Sequence, residues 1–528
     1  MLRRLGLAIG LMFLASTPVL AQQKGGTLTV ALIHDIDTLN VYSTGYTGEV
    51  PAAVVEGLLA PDAHAHYVPV LAVEVPSLEN GGITLTDQGR RMKIRYQLRP
   101  GVKWSDGAPF SSADVKFTWE ALKNPDFIAE SKEGVADIES IETPDPLTVV
   151  VNYKHVSPNY ASTLFTFGIL PKHALEGRNL NADIYNEKPL GTGPFMVSEF
   201  KRGQYVVCVR NPNYWRRDES GTQLPYLDRI VFKIIPDTNT LMTQLRSGEV
   251  QLTSSIPYAY AVQLKSSPNF ELIENQTLSW HHIDFNFNGP KALRDIKVRR
   301  AIAHAINKAS IERALGGFPK AIKSPVVPIL NLYSPDTPDY PFDPKRAEAL
   351  LDEGGYVKGA DGIRTKDGAR LSFSIVGQAG KTEDQIAEQV IAANLKTVGI
   401  ELYLDNKAGV AFREARYKGG FDILFGRWIT SSDPDYAIFF GSAGANNGQS
   451  YKNPALDSVF TELGQTLDVT RRKELAARFQ AIVAEDLPTI PLTTNPLLIV
   501  KSRALQNFVP NPTNMTDYVD TSRWWLKR

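Results

Sequence analysis

The period of the hydrophobic positions changes several times along the chain. After Gly25 and Gly26, Thr27-Leu28-Thr29-Val30-Ala31-Leu32 alternates polar and apolar residues, predicting a strand that ends in a polar loop from Asp35 to Asn40. Residues 83–99 alternate on both sides of Asp87-Gln88-Gly89, the pattern of a hairpin. Ser111 followed three residues later by Asp114 forms a capping box, and Val115, Trp119 and Leu122 supply the buried stripe of a short helix. From 190 to 250 the chain reads as mostly extended, punctuated by Gly191, Gly193, Pro194, Pro212 and Pro225.

The character changes near residue 290. Val298, Ile302, Ala305 and Ile306 have helical spacing, and Asp343-Pro344 opens a helix that Gly354 closes. Leu371 to Val376 predicts a strand, and Glu383 to Val398 a helix with Ile386, Val390 and Ala393 on one face. Ile400 to Leu404 predicts a second strand, Ala411 to Lys418 a short helix, and Phe421 to Phe425 a third strand. Strands alternating with helices imply a βαβαβ unit with a parallel sheet. There is no repeat of fixed period and no low-complexity linker, which suggests lobes joined by crossing strands, a hinge geometry.

The first 21 residues have the pattern of an export leader. Arg3 and Arg4 precede the apolar run Leu5 to Leu14, and Val19-Leu20-Ala21 offers a cleavage site before polar Gln22-Gln23-Lys24. That run is too short for a bilayer, which needs about 20 residues, and no cysteine follows it to carry a lipid anchor. The expected address is therefore the periplasm, as a free protein.

Composition narrows the field. The chain has 528 residues, which suggests two to four domains at about 100–200 residues each. With 57 basic and 57 acidic residues there is no basic field for nucleic acid. A single cysteine, Cys208, excludes an intramolecular disulfide and a Cys-rich metal site.

Several catalytic patterns fail. Gly377-Gln378-Ala379-Gly380-Lys381-Thr382 resembles a phosphate loop, but Ile375 stands where the first glycine belongs. Gly191-Thr192-Gly193 lacks the third glycine of a dinucleotide fingerprint, which is Met196, and there is no Gly-x-Ser-x-Gly elbow. His64 with His66, and His281 with His282, lack the spacing that puts two metal ligands on one helical face. Asp433 and Asp435 could be an acid/base pair or simple turn formers. No cofactor is expected.

Ligands of open parallel sheets bind beyond the carboxyl ends of the strands. Here those ends carry Gln378, Asn406 and the run from Arg427 to Asp435, in which Trp428 offers an aromatic platform beside Ser431 and Asp433. A plain turn with Trp428 packed into the core is the competing reading.

Several short segments stand out along the chain: Val55-Glu56-Gly57-Leu58-Leu59, Leu98-Arg99-Pro100-Gly101-Val102-Lys103-Trp104-Ser105-Asp106-Gly107, Gly191-Thr192-Gly193-Pro194-Phe195, Arg210-Asn211-Pro212-Asn213-Tyr214-Trp215, Leu245-Arg246-Ser247-Gly248-Glu249-Val250, and Trp428 with Asp433-Pro434. In these, and across nearly the whole chain after the leader, the sequence resembles the family 5 extracellular solute-binding proteins, the peptide-binding components of ABC importers. The resemblance implies an α/β, two-lobed periplasmic-binding-protein fold (type II, cluster C-like) with an extra subdomain in the first lobe. It places lobe I at 22–60, 186–284 and 486–528, the subdomain at 61–185, and lobe II at 285–485. It implies a monomer that engulfs a peptide between its lobes, delivers it to an inner-membrane permease, and performs no catalysis.

In dipeptide- and oligopeptide-binding relatives an Asp shortly after the loop Trp pairs with the peptide ammonium group. That position is Ser431 here, with Asp433 and Asp435 near but displaced. The Arg that holds the carboxylate in dipeptide binders aligns with Gln378. The expected ligand-contacting set is Trp428, Ser431, Asp433, Gln378 and Asn406, with Asp37 from the loop after the first strand. Peptide is the first expectation. A sugar or opine-like conjugate stacked on Trp428 is the alternative, and an extracytoplasmic hydrolase using Asp433 and Asp435 a minor one.

Overall fold

The computed structural model describes residues 23–44, 48–130, 132–162, 164–513 and 518–527. The expected leader at 1–21 lies outside them. Among the described residues no helix is long and apolar enough to cross a membrane.

Two mixed sheets carry the fold. The first runs in the order Phe270–Asn275, Leu497–Ser502, Leu252–Thr253, Thr27–Leu32, Arg229–Ile234, Tyr205–Arg210, Phe195–Lys201. The alternation of Thr27–Leu32 places Leu28, Val30 and Leu32 in one core cluster and Ala31 in another, as side chains on opposite faces of a strand must be. The stretch 190–250, read as extended, also contains the helix Thr238–Ser247. Asp237 caps it by accepting from the Thr240 N–H, and Gly248 ends it at a φ of 78°.

The second sheet runs in the order Glu401–Leu404, Ser372–Val376, Ile423–Ile429, Ser279–Phe285, Thr489–Thr494. Its first three strands are parallel, with the helices Thr382–Thr397 and Gly409–Lys418 in the connections, which is the expected βαβαβ unit. The other two strands pair antiparallel, so the sheet is mixed. The helix Thr382–Thr397 is rotated from its expected phase. Ala387, Glu388, Ile391 and Leu395 are buried, whereas Ile386 and Val390 are partly buried and Ala393 is exposed.

A third, four-stranded antiparallel sheet contains the expected hairpin, Ile83–Thr86 with Arg91–Gln97. The capping box of Ser111 and Asp114 starts the helix Ser112–Lys123, whose Val115, Trp119 and Leu122 enter the core beside this sheet.

The chain passes from the first sheet to the second through residues 276–278 and returns through 495–496. The two crossings lie side by side: Thr277 Oγ1 donates to Asn495 O at 2.7 Å and Asn495 N donates to Ser279 O at 3.1 Å. Two short adjacent crossings leave few dihedrals to resist opening about them, which is what a hinge requires.

Candidate binding cleft

A cavity of about 630 Å³ lies beside the crossings. The seven-stranded side contributes Ile33, residues 255–258 and residues 495–498; the five-stranded side contributes Gln378, Lys381, Glu383, Asp384, Arg413, Arg416, Arg427 and Ile429. Strand period decides which side chains reach it. Along Ile423–Ile429, Arg427 and Ile429 are exposed toward the cavity, whereas Trp428 between them is buried at 7% exposure. The run read as a loop from Arg427 onward is thus strand as far as Ile429.

The expectation that Trp428 stacks on a ligand is corrected by its surroundings. Its indole packs against Phe439 at a centroid distance of 4.3 Å and lies parallel to His282 at 5.7 Å. The Arg416 guanidinium sits 3.4 Å from its ring centroid. Trp428 is therefore a platform for a cation of the protein, and that cation lines the cavity.

Arg416 also donates to Arg427 O at 3.0 Å, while its Nε is shut from solvent without a partner. Burial lowers its pKa to about 10, opposed by Asp284. Asp284 itself is bonded to His282 Nδ1 at 2.9 Å. Asp384 is held by His281 Nε2 at 3.2 Å. Burial acts to raise the Asp384 pKa, but His281, Arg427 and Lys381 outweigh it and hold the carboxyl below its ordinary value. Across the cavity, burial raises the Tyr258 hydroxyl, with Glu383 and Asp384 adding to the rise.

Gln378 and Asn406 stand at the ends of neighbouring parallel strands, as expected. The strand pairing continues past both, with a bridge between Gln378 and Lys407. Gln378 reaches the cavity, but Asn406 does not. Asn406 Nδ2 instead donates to Glu388 Oε2 at 2.8 Å, and Glu388 is fully buried. Burial raises the Glu388 pKa to about 7, partly offset by the Asn406 bond and assisted by Asp384.

A second cavity of about 650 Å³ lies between residues 155–159, near the four-stranded sheet, and the segment following Trp428. Asp433 and Asp435 line it, but neither is free. Asp433 pairs with Arg472 at 2.5 Å, and Asp435 accepts from the Ala437 N–H at 2.9 Å. Burial raises the Asp433 pKa against the pull of Arg472. Asp433 is thus already paired within the chain, which removes the reason to assign it a ligand ammonium. Ser431, Asp37 and Trp428 line none of the described cavities. Asp37 is exposed and accepts from Thr44 Oγ1 at 2.7 Å.

Of the expected set, Gln378 lines the cavity beside the crossings, together with Lys381, Arg413 and Arg416, which sequence reasoning did not single out. The available signal was the i, i+3 spacing of Arg413 and Arg416, which puts both on one side of a short helix following the sheet edge. Among the described residues, no group of three or more His, Cys, Asp or Glu side chains is placed to hold a metal ion.

Residues 67–450 match the bacterial extracellular solute-binding proteins, family 5 Middle. The oligopeptide-binding protein AppA of Bacillus subtilis is 27% identical over 526 residues, covering 96% of this chain and 92% of that protein. Its structure in complex with a nonapeptide superposes with a TM-score of 0.74 at 26% identity, covering 96% of this chain and all of that one, 100%. The glutathione-binding protein GsiB of Salmonella typhi is 28% identical over 524 residues, covering 96% of this chain and 95% of that protein. NikZ from Campylobacter jejuni, in complex with Ni(L-His), superposes with a TM-score of 0.75 at 26% identity, covering 94% and 99% of the two chains.

Proposed function

The chain belongs to the family 5 bacterial extracellular solute-binding proteins, and from that premise we propose that it captures a peptide in the cleft beside the crossings and hands it to an ABC permease. The observation that carries this reading is an open strand edge. Ile423–Ile429 is paired along its whole length with Ser279–Phe285, but on its other side it pairs with Ser372–Val376 only at Ile423 and Leu424. Phe425 to Ile429 thus have no strand partner on that side, and Phe425, Gly426, Arg427 and Ile429 line the cavity, with the Arg427 carbonyl accepting from Arg416. A bound peptide must satisfy its own N–H and C=O groups once water is expelled, because each group left unpaired costs about 1–3 kcal/mol. An added strand on this edge does so whatever the side chains are. The exposed Ile33 and Ile429, on opposite walls, would be covered by the same ligand.

In this reading lobe I comprises 22–60, 186–284 and 486–528 with a subdomain at 61–185, lobe II comprises 285–485, and the crossings are the hinge. Residues 1–21 act as a cleaved export leader, and the remainder works in the periplasm as a monomer, with no lipid anchor, cofactor or catalysis. The test is small-angle scattering with and without a mixture of short peptides. Compaction on adding peptide supports capture between lobes; an unchanged radius of gyration at saturating peptide contradicts it.

A further inference from the structure

The charge on the cavity wall is unbalanced in a way that a neutral peptide does not correct. Lys381, Arg413, Arg416 and Arg427 line it, and none of the four makes an ion pair among the described residues. Against them stand Glu383 and Asp384, and Asp384 is already held by His281. Arg416 is the most constrained of the cations. It is fixed on the Trp428 ring, bonded to Arg427 O, and left with a buried Nε that has no partner. Asp284 acts on Arg416 without an ion-pair contact, and a cation with no carboxylate in contact, in a space from which closure would drive water, is costly unless the ligand brings the countercharge.

We infer that the natural ligand is an anionic peptide, one that carries an acidic side chain in addition to its C-terminal carboxylate, and that Arg416 and Arg427 with Arg413 and Lys381 receive its negative groups. The inference rests on the peptide reading above and names the substrate class of the same cleft. The four cations exceed Glu383 and Asp384 by two charges; a neutral peptide, its ammonium cancelling its carboxylate, offsets neither, and an added acidic side chain offsets one. Arg416 donates to the Arg427 carbonyl, which fixes the Arg416 guanidinium beside the strand that carries Arg427. A planar fork presented in a fixed place suits bidentate contact with a carboxylate. Gln378, at the margin of the same cavity, adds a neutral amide that can donate to such a group.

The test is calorimetric titration of the full protein with three tripeptides, Ala-Glu-Ala, Ala-Ala-Ala and Ala-Lys-Ala, and with a non-peptide dicarboxylate, glutarate. The expected order is acidic, neutral, basic, with the acidic peptide tighter than the neutral one by about tenfold or more. In Arg427→Gln, whose side chain is exposed, the ratio of acidic to neutral peptide affinity should shrink severalfold. Arg416→Gln should do the same, and circular dichroism of both variants reports whether they fold. Equal affinity for the three peptides overturns the charge assignment and leaves peptide capture standing. Binding of glutarate with no tripeptide bound overturns peptide capture and leaves the charge assignment. Binding of none of the four overturns both.

Discussion

The buried carboxyl behind the cleft gives the sharpest prediction. Glu388 lies on the inner face of the helix Thr382–Thr397, fully buried, with one oxygen bonded by Asn406 Nδ2 at 2.8 Å and the other without a partner. The backbone of Gly377 presses so close that a Cβ built there would lie 1.9 Å from Glu388 Oε1. Burial raises the pKa from 4.5 in the unfolded chain to about 7 in the fold. At about 1.36 kcal/mol per unit, that difference is worth about 3 kcal/mol. The sign follows from proton uptake. Between these two values the folded protein holds a proton that the unfolded chain gives up, so stability falls as pH rises through this window. The contribution is fully present below the unfolded value and lost above the folded one. Glu388→Gln removes the titration while keeping an acceptor for Asn406, and its new amide N–H can donate to Asn406 Oδ1, which is also unpartnered. Urea unfolding should therefore show the variant more stable than the parent by up to about 3 kcal/mol near pH 8 and nearly equal to it near pH 4.5. A difference that does not change with pH, or a variant weaker at high pH, would refute the reasoning.

Other consequences follow from the same geometry. Trp428→Ala removes both a buried indole and the support of Arg416, and should cost about 3–5 kcal/mol in denaturant unfolding while weakening binding of an acidic peptide. Asp433→Asn breaks the pair with Arg472 and should lower stability by about 1–3 kcal/mol. Calorimetry on that variant should find peptide affinity unchanged, since the carboxylate is engaged by Arg472. Ligand at a hundredfold excess over its dissociation constant should stabilise the parent protein by about 2.7 kcal/mol, read as a rise in melting temperature that vanishes when the ligand is dialysed away.

Local pattern and long-range pairing separate cleanly in this chain. The strand Thr27–Leu32, the capping box of Ser111 and Asp114, and the helix between Asp343 and Gly354 are written in adjacent residues, and each forms as its pattern predicts. The helix Thr238–Ser247 has equally local signals in Asp237 and Gly248, but frequent glycine and proline around it favoured an extended reading. Helix phase is less legible. Ala387 and Ile391 rather than Ile386 and Val390 face inward because Glu388 is accepted on the buried side, against its usual preference for water.

The cleft was legible in position and not in chemistry. Gln378 and the strand end at Arg427 follow from where parallel strands stop. What Trp428 touches depends on residues elsewhere in the chain, on the helix that delivers Arg416 and on the strand that delivers His282. Asp433 is 39 residues from Arg472, and no spacing rule joins them. A residue type suited to a ligand is equally suited to a partner within the fold, and only the folded chain decides between them.

The most direct measurement is native mass spectrometry of the protein purified from the cells that make it, followed by denaturation and identification of what is released. The account predicts a complex heavier than the polypeptide, from which denaturation frees a set of short peptides. Release of a single non-peptide mass would contradict it.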